Sequence, residues 1–409
     1  MRLLHAPGFA LALLACSSTN ATVADSGAPD AGADAAIAYP APHPPMPLVV
    51  TRKGPVMASP KIVPITFSGD PLVGDVDDFV AKMGTATQYW AGATAEYGVG
   101  PLTSLPPIHS TDVPAATLSD ADIQAWLTTQ IQSPSFPQPD ANTIYAIFYP
   151  DTVTVNMGGG VGCQDFEGYH NDFKLSPGKF VIYAVTPRCP PPVKKDTLTD
   201  MMAAIASHEL IEAATDPLPQ DNAAYVDLDA DHLGWSLVTG GTEVGDLCAP
   251  FPGVFSRTMP DISYLVQRTW SNQAGAASHD PCAPNGVTPY FNSAPVLNDT
   301  VTFNQPQGGT AKTKGVTIPV GQSGTVELDL YSDGPTSGPW TVSAIDYESA
   351  FKGLPASLTF AFDKTTGQNG DVIQMTITVK KKGSSGAEPF WIQSTLGTQT
   401  SVWLGVVGN

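Results

Sequence analysis

The run from Thr197 to Ala214 constrains this chain more than any other feature. Thr197 or Thr199 can cap a helix there, and Pro217 stops it. Met201, Met202, Ala203, Ala204, Ile205 and Ala206 make it apolar nearly all round. Such a helix is buried on most sides, so it requires a layered domain around it. The same run nevertheless carries Ser207-His208-Glu209-Leu210-Ile211-Glu212. Buried carboxylates need partners or a metal.

Residues four apart share a helix face, so His208 and Glu212 project together. In H-E-x-x-H helices that geometry holds zinc, and the intervening Glu acts on the bound water. Here Glu212 stands in for the second His, and a carboxylate oxygen also ligates zinc. The expected site is therefore Zn2+ on His208 and Glu212, with Glu209 as catalytic base. Glu243, in Glu243-Val244-Gly245-Asp246-Leu247-Cys248, is the expected third ligand, and Asp246 is the alternative. Glutamate is scarce, eight in 409 residues, and three of the eight lie between 209 and 243. His170, in Gly168-Tyr169-His170, is expected to approach from a loop in a substrate-binding or oxyanion role. Asp216 is expected to terminate the helix. The alternative to a metal site is a structural network of the same carboxylates.

Around this helix, strands are expected at residues 61–67, 143–149 and 180–185, with Pro64 placing the first at a sheet edge or itself near the strand's beginning. One helix is expected from Asp75 to about Ala95. Another follows a Ser119 cap, with Ile123, Trp126, Leu127 and Ile131 on one face. The alternation predicts a mixed sheet with helices packed on it, and together with the H-E-x-x-E helix it makes residues 49–285 an expected α/β (α+β) zincin-like domain. Beyond about Gly286 the pattern changes to seven short alternating strands, at 316–320, 325–331, 340–344, 358–362, 372–379, 390–394 and 402–407, with turns such as 365–367. Residues 286–409 are therefore expected to form an all-β immunoglobulin-like sandwich that serves as spacer or binding module.

The beginning of the chain predicts export. Arg2, an apolar run from Phe9 to Ala15 and Leu13-Leu14-Ala15-Cys16 resemble a bacterial lipoprotein signal over residues 1–16, with Cys16 lipidated. Residues 17–48, rich in Ala, Asp and Pro, are expected to be an unstructured tether. The implied partner is a membrane, reached through that lipid, with the protein at the outer membrane or cell surface. Cys163, Cys189, Cys248 and Cys282 remain, an even number in an exported chain. The local pairs Cys163–Cys189 and Cys248–Cys282 are favoured over a four-cysteine zinc site, because no C-x-x-C pair occurs. A net charge of −19 argues against nucleic acid as partner. Asp227-Leu228-Asp229-Ala230-Asp231 offers a weak Ca2+ alternative. It lacks the EF-hand Gly at the sixth position (His232) and Glu at the twelfth (Val238), so a solvated acidic loop is expected. Gly158-Gly159-Gly160 precedes a cysteine rather than a helix, and reads as a flexible rim rather than a phosphate cradle.

Gly54-Pro55-Val56-Met57, Gly168-Tyr169-His170, the run from Ser207 through Asp216-Pro217, Glu243 to Cys248, and Trp270-Ser271-Asn272 follow one another in an order that resembles the Exordium / phosphate-induced protein 1 family. The resemblance spans roughly residues 50–285. It implies secretion and a zincin-like motif, but no established activity. The leading expectation is a surface zinc-dependent hydrolase acting on extracellular peptide or protein. The rival is a non-catalytic binding or signalling module. A glycan binder is a third reading, resting on Trp235 and Trp270, which core packing explains better.

Overall fold

A computed structural model describes residues 38–305, 308–383 and 385–409. The expected signal with Cys16, and the tether as far as residue 37, lie outside the described residues. The rest of the tether needs correction, because residues 38–48 pack against the body of the protein. The His43 ring stacks on Tyr331 with centroids 3.5 Å apart. The Ala41 amide donates to Asn369, and Trp270 Nε1 donates to the Pro47 carbonyl. Composition alone misses this, since these Pro and Ala residues acquire their partners only from distant parts of the chain.

The first domain is built from β1 (Val49–Thr51), β2 (Lys61–Phe67), α1 (Val73–Met83), α2 (Thr87–Thr94), β3 (Thr103–Ser104), β4 (Ile108–Ser110), α3 (Asp120–Ile131), β5 (Thr143–Phe148), β6 (Tyr169–Ser176), β7 (Lys179–Thr186), α4 (Leu198–Thr215) and β8 (Tyr225–Leu228). Its main sheet runs β3-β2-β5-β7-β6, with β4 beside the far end of β2. Strands β2, β3, β4, β5 and β7 are parallel, and β6 returns antiparallel to β7. Both faces are covered, which is why β5 and β7 read as unbroken apolar runs. Ile144, Ala146 and Phe148 face the core that holds Leu210 and Ala214 of α4. Tyr145 and Ile147 face Ile123 and Leu127 of α3.

Two local expectations are corrected here. Pro64 does not put β2 at the edge, since β2 pairs on both sides, nor does it stand near the strand's beginning, since it is central in Lys61–Phe67. Pairing on the β3/β4 side is interrupted between Ile62 and Ile65, so the missing N–H of Pro64 faces a gap. The single helix expected from Asp75 to Ala95 is two, broken at Gly84, where helix propensity is lowest. By contrast α4 and its Thr197 cap lie where expected, with a complete Thr197/Asp200 capping box.

The second domain is an all-β sandwich of β9 (Phe291–Pro295), β10 (Asp299–Asn304), β11 (Thr310–Thr317), β12 (Ser323–Ser332), β13 (Trp340–Asp346), β14 (Leu358–Phe362), β15 (Thr366–Gly367), β16 (Val372–Val379), β17 (Ala387–Leu396) and β18 (Gln399–Gly408). One sheet runs β9-β12-β16-β14, the other β10-β11-β18-β17-β13-β15. Six of the seven expected strands lie where expected; the one expected at 316–320 lies earlier, at Thr310–Thr317, and overlaps it at Val316 and Thr317 alone. Strands β9, β10 and β15 are additional, and β15 occupies the expected turn at 365–367.

The acidic segment 227–232 also differs from expectation, because it is the junction between the domains. The Asp231 carbonyl accepts from the Lys314 amide and from Thr313 Oγ1. Gly234 packs so closely that a Cβ there would stand 2.6 Å from Val406. Trp235 meets Trp403 edge to face at 6.1 Å. Among the described residues, no helix is long and apolar enough to cross a membrane.

Candidate metal centre

Three segments distant in sequence converge on α4. The helix supplies His208, Glu209 and Glu212 from its buried middle. Strand β6, lying under the helix, supplies His170 from the face opposite Tyr169. The segment after β8 supplies Glu243 and Asp246. Both disulfides hold this convergence. Cys163–Cys189 ties the approach to β6 to the approach to α4, and Cys248–Cys282 ties down the chain just after Asp246. The pairing is the one favoured from the sequence.

The segment 243–248 reaches α4 because Gly245 has no side chain. A Cβ there would lie 2.7 Å from Glu212 Oε1 and 2.8 Å from His208 Nδ1. At that distance the Gly245 and Asp246 amides both donate to Glu212 Oε1, at 3.1 Å each. Glu212 Oε2 is left facing the imidazoles, 3.0 Å from His208 Nε2 and 3.8 Å from His170 Nδ1.

Each imidazole has its second nitrogen fixed. Gln267 Nε2 donates to the Gly245 carbonyl at 2.6 Å, so Gln267 Oε1 is the end turned toward His208 Nδ1, 3.0 Å away. His208 Nδ1 must therefore carry the proton, and Nε2 is the nitrogen offered to Glu212. His170 Nε2 donates to the Asp216 carbonyl at 3.1 Å, which leaves Nδ1 toward Glu209 and Glu212, 3.8 Å from each. A ring held through one N–H by a carbonyl is how ligating histidines are oriented.

The electrostatics are one-sided. Glu209, Glu212, Glu243, Asp246 and Asp216 gather around two imidazoles. Among the described residues no Lys or Arg nitrogen comes within 4.0 Å of these carboxylates. Burial pushes the Glu243 carboxyl well above the usual carboxylate range, and Glu212 and Asp246 push it further. Burial and Glu212 raise Asp246 to about 8. Burial also raises Glu209 and Asp216. Glu212 goes the other way, since His208 outweighs the cost of its burial. Burial pulls both imidazoles down, but the surrounding carboxylates outweigh it, most strongly at His208. Glu243 Oε1 and Asp216 Oδ2 are buried and accept no hydrogen bond. A buried cluster this rich in carboxyl groups keeps protons unless a cation takes their place.

Ligand atoms mutually within 4.8 Å form two groups, His208–Glu209–Glu212 and His170–Glu212–Glu243. The donor set fits a divalent metal ion. It departs from the expected His208–Glu212–Glu243 triad, because Glu243 falls beside His170 rather than His208. Asp246 is on the His208 side, with Oδ1 3.7 Å from Nε2. His170 is not on a loop. It sits in a strand whose odd positions Tyr169, Phe173 and Leu175 alternate with it, a period-two signal legible in the sequence. Gln267 left no such signal.

Other expected sites are placed differently. Asp216 does end α4, and its carboxylate also accepts from the Ala224 amide at 2.5 Å. Asp227 pairs with Arg52, and Asp229 holds His232 and the Leu48 amide, so protein donors already occupy the oxygens a calcium ion would need. Trp235 and Trp270 are core residues at 4% and 1% exposure, which removes the platform for a glycan.

No protein-family model matches the chain, and no curated protein matches it. Among solved structures, domains 4 and 5 of the S-layer protein SbsC are similar at 14% identity and a TM-score of 0.17, over 30% of this chain and 68% of that one. A chimeric titin Z1Z2 is similar at 13% identity and a TM-score of 0.17, over 29% of this chain and 94% of that one. Scores this low carry no argument about fold or activity.

Proposed function

We propose that the protein is an exported, lipid-anchored metal-dependent hydrolase of zincin-like type that cleaves extracellular peptide or protein, and a divergent relative of the Exordium family. The observation that carries the reading is the fixed orientation of His208. Gln267 holds its Nδ1 proton, and Nε2 points at Glu212 in an otherwise acid-rich, buried cluster. His208 and Glu212 would hold the ion. A zinc ion held there would supply Lewis acidity for the attack of water on a substrate carbonyl. Glu209, next in the chain and in the same ligand group, takes the proton of the attacking water. Water oxygen bonds to the carbonyl carbon, the C–N bond breaks, and Glu209 passes the proton to the leaving amine. Burial keeps the Glu209 carboxyl raised, which suits a group that must give its proton back.

The test is metal content and peptide cleavage, with wild type beside His208→Ala and Glu209→Gln. Near-stoichiometric zinc that is lost in His208→Ala, with Glu209→Gln keeping metal but losing cleavage, supports the reading. A metal-free wild type whose His208→Ala variant is merely less stable would replace it with a non-catalytic binding module.

A further inference from the structure

We infer that the centre binds two divalent cations, the second held by His170, Glu212 and Glu243, with Glu212 shared between them. The inference rests on the proposed metal at His208 and deepens it. The ligand atoms divide into two groups that have Glu212 in common, each with one imidazole and neither with both; in the first group Glu209 is the base beside the ion, and in the second Glu243 completes the ligand set. Glu212 is placed to bridge, because its Oε1 takes two backbone amides and its Oε2 is turned to His208 on one side and His170 on the other.

His170 does not behave as a counter-charge for these acids. A charge-assisted N–H to carboxylate bond closes to about 2.7–2.9 Å. His170 Nδ1 stands 3.8 Å from Glu209 and Glu212, although its side chain is only 4% exposed. Ligands around one ion at about 2.1 Å each are separated by roughly 3.4 Å, so the spacing is closer to that of ligands around an ion. The Asp216 carbonyl already fixes the other ring nitrogen as a donor. Glu243 Oε1 is buried, accepts no hydrogen bond and lies 3.6 Å from Nε2 of the same ring, on the side held by the Asp216 carbonyl, while its ligand atom still falls within 4.8 Å of those of His170 and Glu212. Asp216, wholly buried, likewise leaves Oδ2 without one. A single ion on His208 would leave these oxygens without a cation. Two ions sharing a carboxylate, about 3.5–4 Å apart, form the arrangement that clamps both the attacking and the leaving atoms in hydrolysis.

The test uses the full chain, stripped by chelator and titrated with Mn2+, read by calorimetry and electron paramagnetic resonance. Two Mn2+ per chain with an exchange-coupled spectrum are expected. His170→Ala should drop this to one Mn2+ with the six-line signal of an isolated ion. One equivalent in wild type, with the plain six-line signal, overturns the second ion and leaves the hydrolase proposal standing. Two uncoupled ions overturn the sharing of Glu212, and two ions retained in His170→Ala overturn its role as ligand. No binding at all overturns both proposals. The wild-type stoichiometry and spectrum decide the matter even where the variant fails to fold.

Discussion

The two domains bury polar groups in opposite ways. In the sandwich, Asn292 Nδ2 donates to Tyr290 Oη and to the Val402 carbonyl, Ser293 and Ser394 hydroxyls lie 2.8 Å apart, and Trp340 Nε1 donates to Ser293 Oγ. These are neutral groups that satisfy one another. Asp346, an ionisable residue nearby, is held by the amides of Ser349, Ser357 and Leu358. Around α4, five carboxylates face two imidazoles and some oxygens accept nothing. A satisfied neutral network contributes to one stable arrangement, whereas an unsatisfied charged one is the kind of strain that functional sites retain. The network around Asn292 is complete in itself, and the carboxylate cluster around α4 is not.

The comparison breaks most visibly at Trp340. Its indole is fully buried, so Trp340→Ala should lower stability by about 3–5 kcal/mol in denaturant titration. Peptide-resolved hydrogen exchange should place the loss in the sandwich, with metal per folded chain unchanged. Joint loss of metal would make the two regions one unit.

Chelation should do the reverse. An ion present at about 100 times its Kd contributes roughly 2.7 kcal/mol, so its removal should loosen α4 and the 243–248 segment while the sandwich stays protected. The metal-free protein should also lose stability as pH rises from about 5 to 8. Glu243 and Asp246, raised in the folded state, keep protons there that the unfolded chain has released. His208 and His170, also raised, add stability below their unfolded value and lose it as pH climbs through the folded one. Loaded with metal the trend should invert, since protons then compete for ligands. Denaturant midpoints at the two pH values, with and without chelator, check the sign.

The sandwich also leaves some buried polar atoms unpaired, Ser357 Oγ and Trp391 Nε1 among them, and Glu388 is the carboxylate of that group. Glu388 is wholly buried, neither oxygen accepts a hydrogen bond, and burial, with Glu348 adding to it, pushes its carboxyl up to about 7. Glu388→Gln should therefore stabilise the sandwich above pH 7 by about 1–3 kcal/mol and change little near pH 5, with or without metal. The smallest effect is expected at Thr197→Ala, which removes the α4 cap and about 1 kcal/mol in either metal state.

Much of this was legible from short-range pattern. The buried helix, its cap and its H-E-x-x-E face follow from periodicity and capping chemistry within eighteen residues. Six of the seven sandwich strands follow from alternation, and the disulfides from local spacing in an exported chain. Failures came where the deciding partner is distant. Pro64 looked like an edge residue because the gap opposite it depends on where β3 ends and β4 begins. The acidic segment 227–232 keeps Ala230 and Asp231 exposed, but its backbone partners, Val49–Thr51 and the strand that starts at Thr310, are too distant in sequence for a local pattern to show.

The sequence by itself determined that a carboxylate-rich helix would be buried, since apolar residues on every side leave it no exposed face. Only the tertiary structure decided what that burial means. It turned His170 inward on β6, set Gln267 against His208, and brought Glu243 to the wrong side of Glu212 for the expected triad. Contacts between residues tens of positions apart depend on how the layers pack, and packing is a property of the whole chain rather than of any window in it.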